Sequence, residues 1–208
     1  MVSDIAPTQP LESFPLPAPR LASPCSVEMA LQGRRSVRAL GQKPLALAQL
    51  AQLLWAAQGV TSTEGMRTAP SAGALYPLEL YLAVGNVSGL AAGVYKYQPE
   101  IHHLKQWAEH DRRHDLASAA LGQDFVKRGA AVMVFASVQA RTTGKYGERG
   151  IRYIHFEVGH AAQNVLLQAV ALGLSAVTVG AFDDKHVARL LQIPPSEQAL
   201  YLLPIGKG

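Results

Sequence analysis

Residues 141–184, RTTGKYGERGIRYIHFEVGHAAQNVLLQAVALGLSAVTVGAFDD, constrain the fold more than any other stretch. From Gly150 to Leu172 the pattern is that of one long helix. Val158, Ala161, Ala162, Val165, Leu166, Ala169 and Val170 recur at helical spacing and make one broad apolar face. Glu157, His160, Gln163 and Asn164 form a separate polar stripe. A helix this apolar has to be buried, in the core of one chain or in a core shared by two, and Gly159, Ala161 and Ala162 permit close approach of another helix. Gly173 stops it. Leu174–Val179 then reads as a short buried strand, and Asp183 is placed to cap a further helix over Lys185–Leu191. Ahead of the long helix, Lys145 and Tyr146 lie in what reads as a polar, glycine-bounded loop.

The rest of the chain supplies shorter elements. Residues 1–24 are rich in proline, which excludes a helix or a central strand and leaves an arm or a wrap, one that could be ordered only against a partner. The arm lacks the basic start and apolar run of a signal peptide. Residues 25–208 form the folded domain. Ser26 caps a short helix that ends near Gly33. Leu47, Leu50, Leu53, Leu54 and Ala57 mark an amphipathic helix ended by Gly59. LELYLAVG (78–85) reads as a strand, Gly93–Tyr97 and His102–Trp107 as a hairpin, Ala130–Val138 and Leu200–Ile205 as buried strands, and Asp111 as the cap of a helix through Ala120. The fold class is therefore α+β, one sheet with helices packed on its faces.

Composition narrows the function. With 208 residues and 49% hydrophobic content, one domain with a large core is available. One cysteine, Cys25, allows no internal disulfide and fits a reducing cytoplasm. No apolar run is long enough to cross a bilayer. The net charge of +4 is modest, and no long basic run points to nucleic acid. The cations gather in two small groups, Arg34/Arg35/Arg38 and Arg141/Lys145/Arg149/Arg152, which suit a compact anion better than a polyanion.

Three stretches are candidates for chemistry. Arg34-Arg35-Ser36-Val37-Arg38 offers guanidinium forks and a hydroxyl to a phosphate, or is a solvated basic loop. Residues 67–77, RTAPSAGALYP, put small residues where backbone can approach a flat ligand, or make an ordinary tight connection. The third is Lys145-Tyr146 with the polar stripe of the long helix. His155 and His160 lie about 140° apart around a helix, so they share no face and no metal site is expected.

Taken in order, RRSVR, PSAGALYPLELYL, KYGERGIRY, EVGHAAQN and VGAFDD resemble the FMN-dependent nitroreductase superfamily, and most of all its azoline dehydrogenases. The resemblance runs from Ser26 to Lys207. It implies a nitroreductase-like sandwich with a mostly antiparallel central sheet. It also implies a homodimer built on long central helices, with FMN between the subunits. By position, Arg34, Arg35, Ser36, Arg38 and Lys207 match the phosphate and ribityl contacts. Pro70, Ser71, Ala72, Gly73 and Leu75 match the loop lining the flavin from the other subunit. Gly180 and Ala181 match the backbone near N5, Gln163 matches a further cofactor contact, and Lys145 and Tyr146 match the pair implicated as base. A cytoplasmic enzyme is implied that passes hydride from NADH or NADPH through FMN to a nitroaromatic or quinone. The alternatives are dehydrogenation of an azoline-like substrate through Lys145/Tyr146, and non-catalytic flavin binding or storage.

Overall fold

The computed structural model describes residues 12–208, so the sequence-predicted arm is seen only from Glu12 to Pro24. Seven strands form one sheet: β1 (Ser13–Pro15), β3 (Leu78–Val84), β5 (Gly93–Gln98), β6 (His103–Glu109), β7 (Ala131–Ser137), β8 (Leu174–Ala176) and β9 (Gln198–Lys207). Their order is β1-β6-β5-β3-β7-β9-β8, and every neighbouring pair is antiparallel. Two short strands, β2 (Leu45–Ala46) and β4 (Val87–Ser88), pair beside it. Helices α1 (Val27–Gly33), α2 (Leu47–Gln58), α5 (Gln139–Tyr146) and α6 (Arg149–Ala171) lie on one side. On the other lie α3 (Arg113–Ala119), α4 (Phe125–Arg128) and α7 (Asp184–Leu190).

The two-residue period of the strands sorts the core. Leu78, Leu80, Leu82 and Val84 of β3, with Met133 and Phe135 of β7, pack against Leu50, Leu54, Ile154, Val158 and Val165. The intervening Tyr81, Ala83, Val132, Val134 and Ala136 pack against Leu116, Val126, Val187 and Leu191. Helices cover both faces of the middle strands, so all seven residues of β7 are buried.

The sequence-predicted helices and strands recur, with four differences. Lys145 and Tyr146 are not in a loop but close the last turn of α5, which Gly147 ends at φ 58°. Two threonines and Gly144 depress the helix propensity of this segment, and packing overrides them: Thr142 is buried where α5 crosses Gly150 of α6. The strand read as Leu174–Val179 ends at Ala176. Ala176 faces Ile205, so the ladder would next require an N–H from Pro204, which has none. At the start of α3, the Asp111 carboxylate accepts from the Arg113 backbone N–H at 3.0 Å and clamps the Arg113 guanidinium, while Arg112 is the cap position.

The fourth difference concerns the proline-rich segment, which orders against its own chain from Glu12 onward. Ser13–Pro15 add an edge strand to β6, a sheet position that tolerates proline. Beyond it, the Gln52 amide of α2 accepts from Arg20 N at 2.8 Å and donates to Arg20 O at 3.0 Å. Gln52→Ala removes both partners of a backbone unit, at a cost of about 1–3 kcal/mol. Trypsin should then cut after Arg20 faster than in the unsubstituted protein. An unchanged cleavage rate would show that this amide does not hold the segment.

Candidate active site

The stretch between α2 and β3 is bolted down at its base. Arg67 donates to Gln58 Oε1 at 3.0 Å and to Glu100 at 2.7 Å, and its guanidinium sits 4.6 Å from the centre of the Tyr76 ring. Thr68 donates to Trp55 O of α2 and accepts from Asn164 Nδ2 of α6 at 3.2 Å. The chain then makes one tight turn over Ala72–Ala74, with Gly73 at φ 64° and the non-glycine residues Ala74 at 53° and Tyr76 at 44°. Left-handed backbone at Ala74 and Tyr76 is strained, and such strain gathers at ligand-binding turns. The Ser71 hydroxyl accepts from Tyr76 N at 2.9 Å, and Arg141 donates to Tyr76 O at 2.9 Å.

Lys145 and Tyr146 come to this turn from α5. A Cβ placed on Gly73 would stand 2.8 Å from Tyr146 Oη and 3.0 Å from Lys145 Nζ. The Tyr146 ring is held edge-on to Tyr153 of α6, with centroids 5.2 Å apart. Two stretches some seventy residues apart in sequence thus share one exposed patch: small residues and a turned backbone below, an ammonium and a phenol above. Pro70 and Gly73 are exposed here, with Ser71, Ala72 and Leu75 half-buried.

Behind the turn lies Glu157 of α6, only 2% exposed. Its Oε1 has no hydrogen-bond partner. Burial pushes its carboxyl up to about 7, against the smaller opposing effects of the Ser71 hydroxyl and the Arg67 charge. The polar stripe in the sequence contained Glu157, but its burial depends on the turn that covers it. Its helix neighbours differ: Asn164 bonds Thr68 O ahead of the turn, Gln163 is half-buried, and His160 is exposed.

The basic stretch lies elsewhere. Val37 N donates to Ala176 O at 3.0 Å, and Gly41 N donates to Lys207 O, so residues 34–41 run across the ends of β8 and β9. This brings Arg34, Ser36 and Lys207 to one edge. Among the described residues no carboxylate pairs with Arg34, Arg35, Arg38 or Lys207. Arg35 caps α1 through Gln32 O and Arg34 O, and Arg38 lies 5.6 Å over the Phe125 ring. Gly180 and Ala181 are exposed beyond the Val179–Leu202 bridge, and Ala181 O accepts from Gln123.

The second basic cluster read from the sequence does not form an anion site as a unit. Arg141 is committed to Glu79 at 2.6 Å, and Glu79 also takes Lys96 at 3.0 Å. Lys96 reaches Glu197 at 2.8 Å, and Tyr81 donates to Glu197 at 2.9 Å. Burial, reinforced by Glu197, pushes the Tyr81 phenol far up. Glu79, Lys96, Arg141 and Trp107 line a cavity of about 510 Å³ together with Leu75 and Tyr76.

The two halves assembled here are far apart in one chain. Ser71 faces Glu157, whereas α1 meets α6 where Gly33 approaches Val170. Those contacts are separated on α6 by roughly 20 Å of helix. Along β9, the end that pairs with Ser137 before α5 and the end that pairs with Gly41 stand about 30 Å apart.

Residues 31–207 match the nitroreductase family. A nitroreductase-type protein of Methanocaldococcus jannaschii is 48% identical over 181 residues, which cover 87% of this chain and 90% of that protein. The microcin B17-processing protein McbC of Escherichia coli is 30% identical over 133 residues, 61% of this chain, and that match spans 48% of McbC. A crystal structure of a nitroreductase-type protein from Ralstonia eutropha superposes with a TM-score of 0.84 at 28% identity, covering 98% of this chain and 92% of that one.

The state of Glu157 is measurable as stability. Its carboxyl is raised in the folded protein, so its contribution is present below the unfolded value of about 4.5 and is lost as pH rises through about 7. Glu157→Gln stays neutral and escapes that loss. Urea midpoints at pH 5.5 and 8.5 should show the variant gaining on the unsubstituted protein as pH rises. A difference independent of pH would mean that Glu157 titrates as an ordinary carboxyl.

Proposed function

The chain belongs to the nitroreductase family and is an oxidoreductase, and from that premise we propose that it works as a homodimer holding FMN between its subunits. The observation that carries this reading is the separation of the two halves. The basic edge of Arg34, Ser36 and Lys207 and the Gly73 turn meet α6 roughly 20 Å apart, too far for one ribityl phosphate chain. A second copy, related by a two-fold axis, brings its turn to the first copy's basic edge and closes two equivalent sites. Exposed apolar side chains support it: Val27, Met29 and Leu31 on α1 and Phe156 on α6 are 66%, 58%, 55% and 55% exposed. Phe156 stands near Gly159, above which there is open space for another helix.

The residues present fit FMN. The cations at the basic edge, which no carboxylate pairs among the described residues, match a phosphate. The side-chain-free Gly73 and the short side chains of Ser71 and Ala72 let a flat ring lie against the turn. Exposed backbone at Gly180 and Ala181 offers donors to the ring edge. FMN bound there supplies two-electron hydride transfer at N5. Around it, Arg34, Ser36 and Lys207 hold the phosphate, Arg38 and Arg35 add to the field at that edge, and Gln163 lies on the helix behind. We read the physiological direction as reduction of a small electrophile such as a nitroaromatic or quinone by NADH or NADPH, with the accompanying proton drawn from solvent.

Complementation tests the shared site. Arg34→Ala and Gly73→Asp should each weaken FMN binding about tenfold or more. Co-expressed, they should regain about a quarter of the wild-type sites, because one site of each mixed dimer is intact. No recovery, or a monomer by light scattering that keeps FMN, would overturn the reading.

A second reading is favoured by the placement of Lys145 Nζ and Tyr146 Oη over Gly73 and by the similarity to McbC. Here the enzyme dehydrogenates a substrate such as an azoline. Lys145 takes the substrate's proton as hydride leaves, and Tyr146 positions the ring. Lys145→Ala should then lower dehydrogenation about a hundredfold while FMN content stays normal. Reduction of a nitroaromatic by NADPH should change little. Equal azoline turnover in Lys145→Ala and the unsubstituted enzyme would remove this second reading.

A further inference from the structure

The sheet forks beside the Gly73 turn. β3 and β5 pair only from Tyr81↔Lys96 to Val84↔Gly93. Before Tyr81, β3 reaches back to Leu78, held by β7, and past Lys96, β5 runs on to Gln98, held by β6. The cavity of about 510 Å³ opens where the strands part, with Leu80 on one side and Tyr97 on the other, and it adjoins the turn at Leu75 and Tyr76. Its volume suits a small molecule.

The charge on its wall is uneven. Lys96 and Lys105, both lining the cavity, stand directly opposite each other on β5 and β6, a pairing of like charges that costs stability. Lys96 is neutralised by Glu79 at 3.0 Å and Glu197 at 2.8 Å, Arg141 by Glu79 at 2.6 Å, and Arg67 by Glu100 at 2.7 Å. Those three cations and three carboxylates balance. Among the described residues no carboxylate pairs with Lys105, which is half-buried, so one positive charge is left over.

A second group on the same wall lacks a partner. Gln58 lines the cavity and is 0% exposed. Its Oε1 accepts from Arg67, which can only donate, and this fixes the orientation of the amide. Its Nε2 is left buried with no hydrogen-bond partner, a cost that an acceptor oxygen would relieve. The rings of Tyr76, Tyr97 and Trp107 complete the wall and favour a flat apolar body.

We propose that this cavity is a binding site for a small aromatic monocarboxylate that carries a second acceptor oxygen. The carboxylate meets Lys105, the ring lies among the aromatic side chains, and the second oxygen accepts from Gln58 Nε2. A single surplus cation matches a single negative charge better than a phosphate ester, which carries nearly two near neutral pH. The site lies within one chain, so it stands or falls apart from the flavin reading.

Three ligands separate the contributions: 4-acetylbenzoate supplies both groups, 4-acetylbenzamide lacks the charge, and 4-ethylbenzoate lacks the second oxygen. Isothermal titration of the purified protein at neutral pH, with the flavin it carries, should give 4-acetylbenzoate a Kd of about 1 mM or below and the other two a Kd about tenfold weaker. Lys105→Met should erase the advantage of the acid over the amide. Gln58→Glu keeps an acceptor for Arg67 but removes the donor, and it should erase the advantage of 4-acetylbenzoate over 4-ethylbenzoate. Equal affinities for all three ligands, no binding of 4-acetylbenzoate up to about ten times that concentration, or advantages that survive the substitutions would overturn the site. If Gln58→Glu does not fold, the three-ligand comparison on the unsubstituted protein and on Lys105→Met still decides.

Discussion

The contact of α6 with everything around it is what the rest of the molecule depends on. Its 23 residues make a rod of about 35 Å that spans the sheet. One face is buried against β3, β7 and α2, and that burial fixes the rod in place. Along its length it then holds one element after another: α5 at Gly150 and Tyr153, the turn at Glu157 and Asn164, the proline-rich segment through Gln52 and Gln168, and the end of α1 at Val170. Because the rod is rigid, the turn and the basic edge cannot meet within one chain. The same rigidity that stabilises the protomer is what the proposed site shared with a second copy answers.

A second constraint is the charge network on β3. Glu79 sits on a central strand and would be costly there unpaired. Lys96 and Arg141 both neutralise it, and Arg141 in addition bonds Tyr76 O. The end of α5 is thereby tied to the strand that follows the turn. Lys145 and Tyr146 take their position over Gly73 from this tie and from the Tyr146–Tyr153 contact. A buried ion cluster gives little net stability, but removing one member leaves its partners unpaired, so it acts as a locator for α5.

Much of the architecture was legible because its signals are local. Ser26 and Asp183 cap their helices as their types predict, accepting from Met29 N and His186 N. The period of α6, the hairpin of β5 and β6, and the strands at 78–84 and 131–137 follow from hydrophobic spacing. What failed had a non-local cause. Thr142, Thr143 and Gly144 argue for a loop, and only the groove beside Gly150 makes α5 a helix. Leu174–Val179 has a strand's composition, and its early end depends on Pro204 lying opposite. Arg141 looked like part of a basic cluster until β3 placed a carboxylate beside it.

The residues by themselves determined the layers, the long helix, and the order of motifs that assigns the chain to its family, since propensity, periodicity and motif order are properties of neighbouring residues. The tertiary structure alone decided which of those motifs face one another. It joined Lys145 and Tyr146 to Gly73, parted both from Arg34 and Lys207 along α6, and buried Glu157 behind Ser71. Those are distances between segments remote in sequence, set by how a rigid helix packs on a sheet, and no local pattern encodes them.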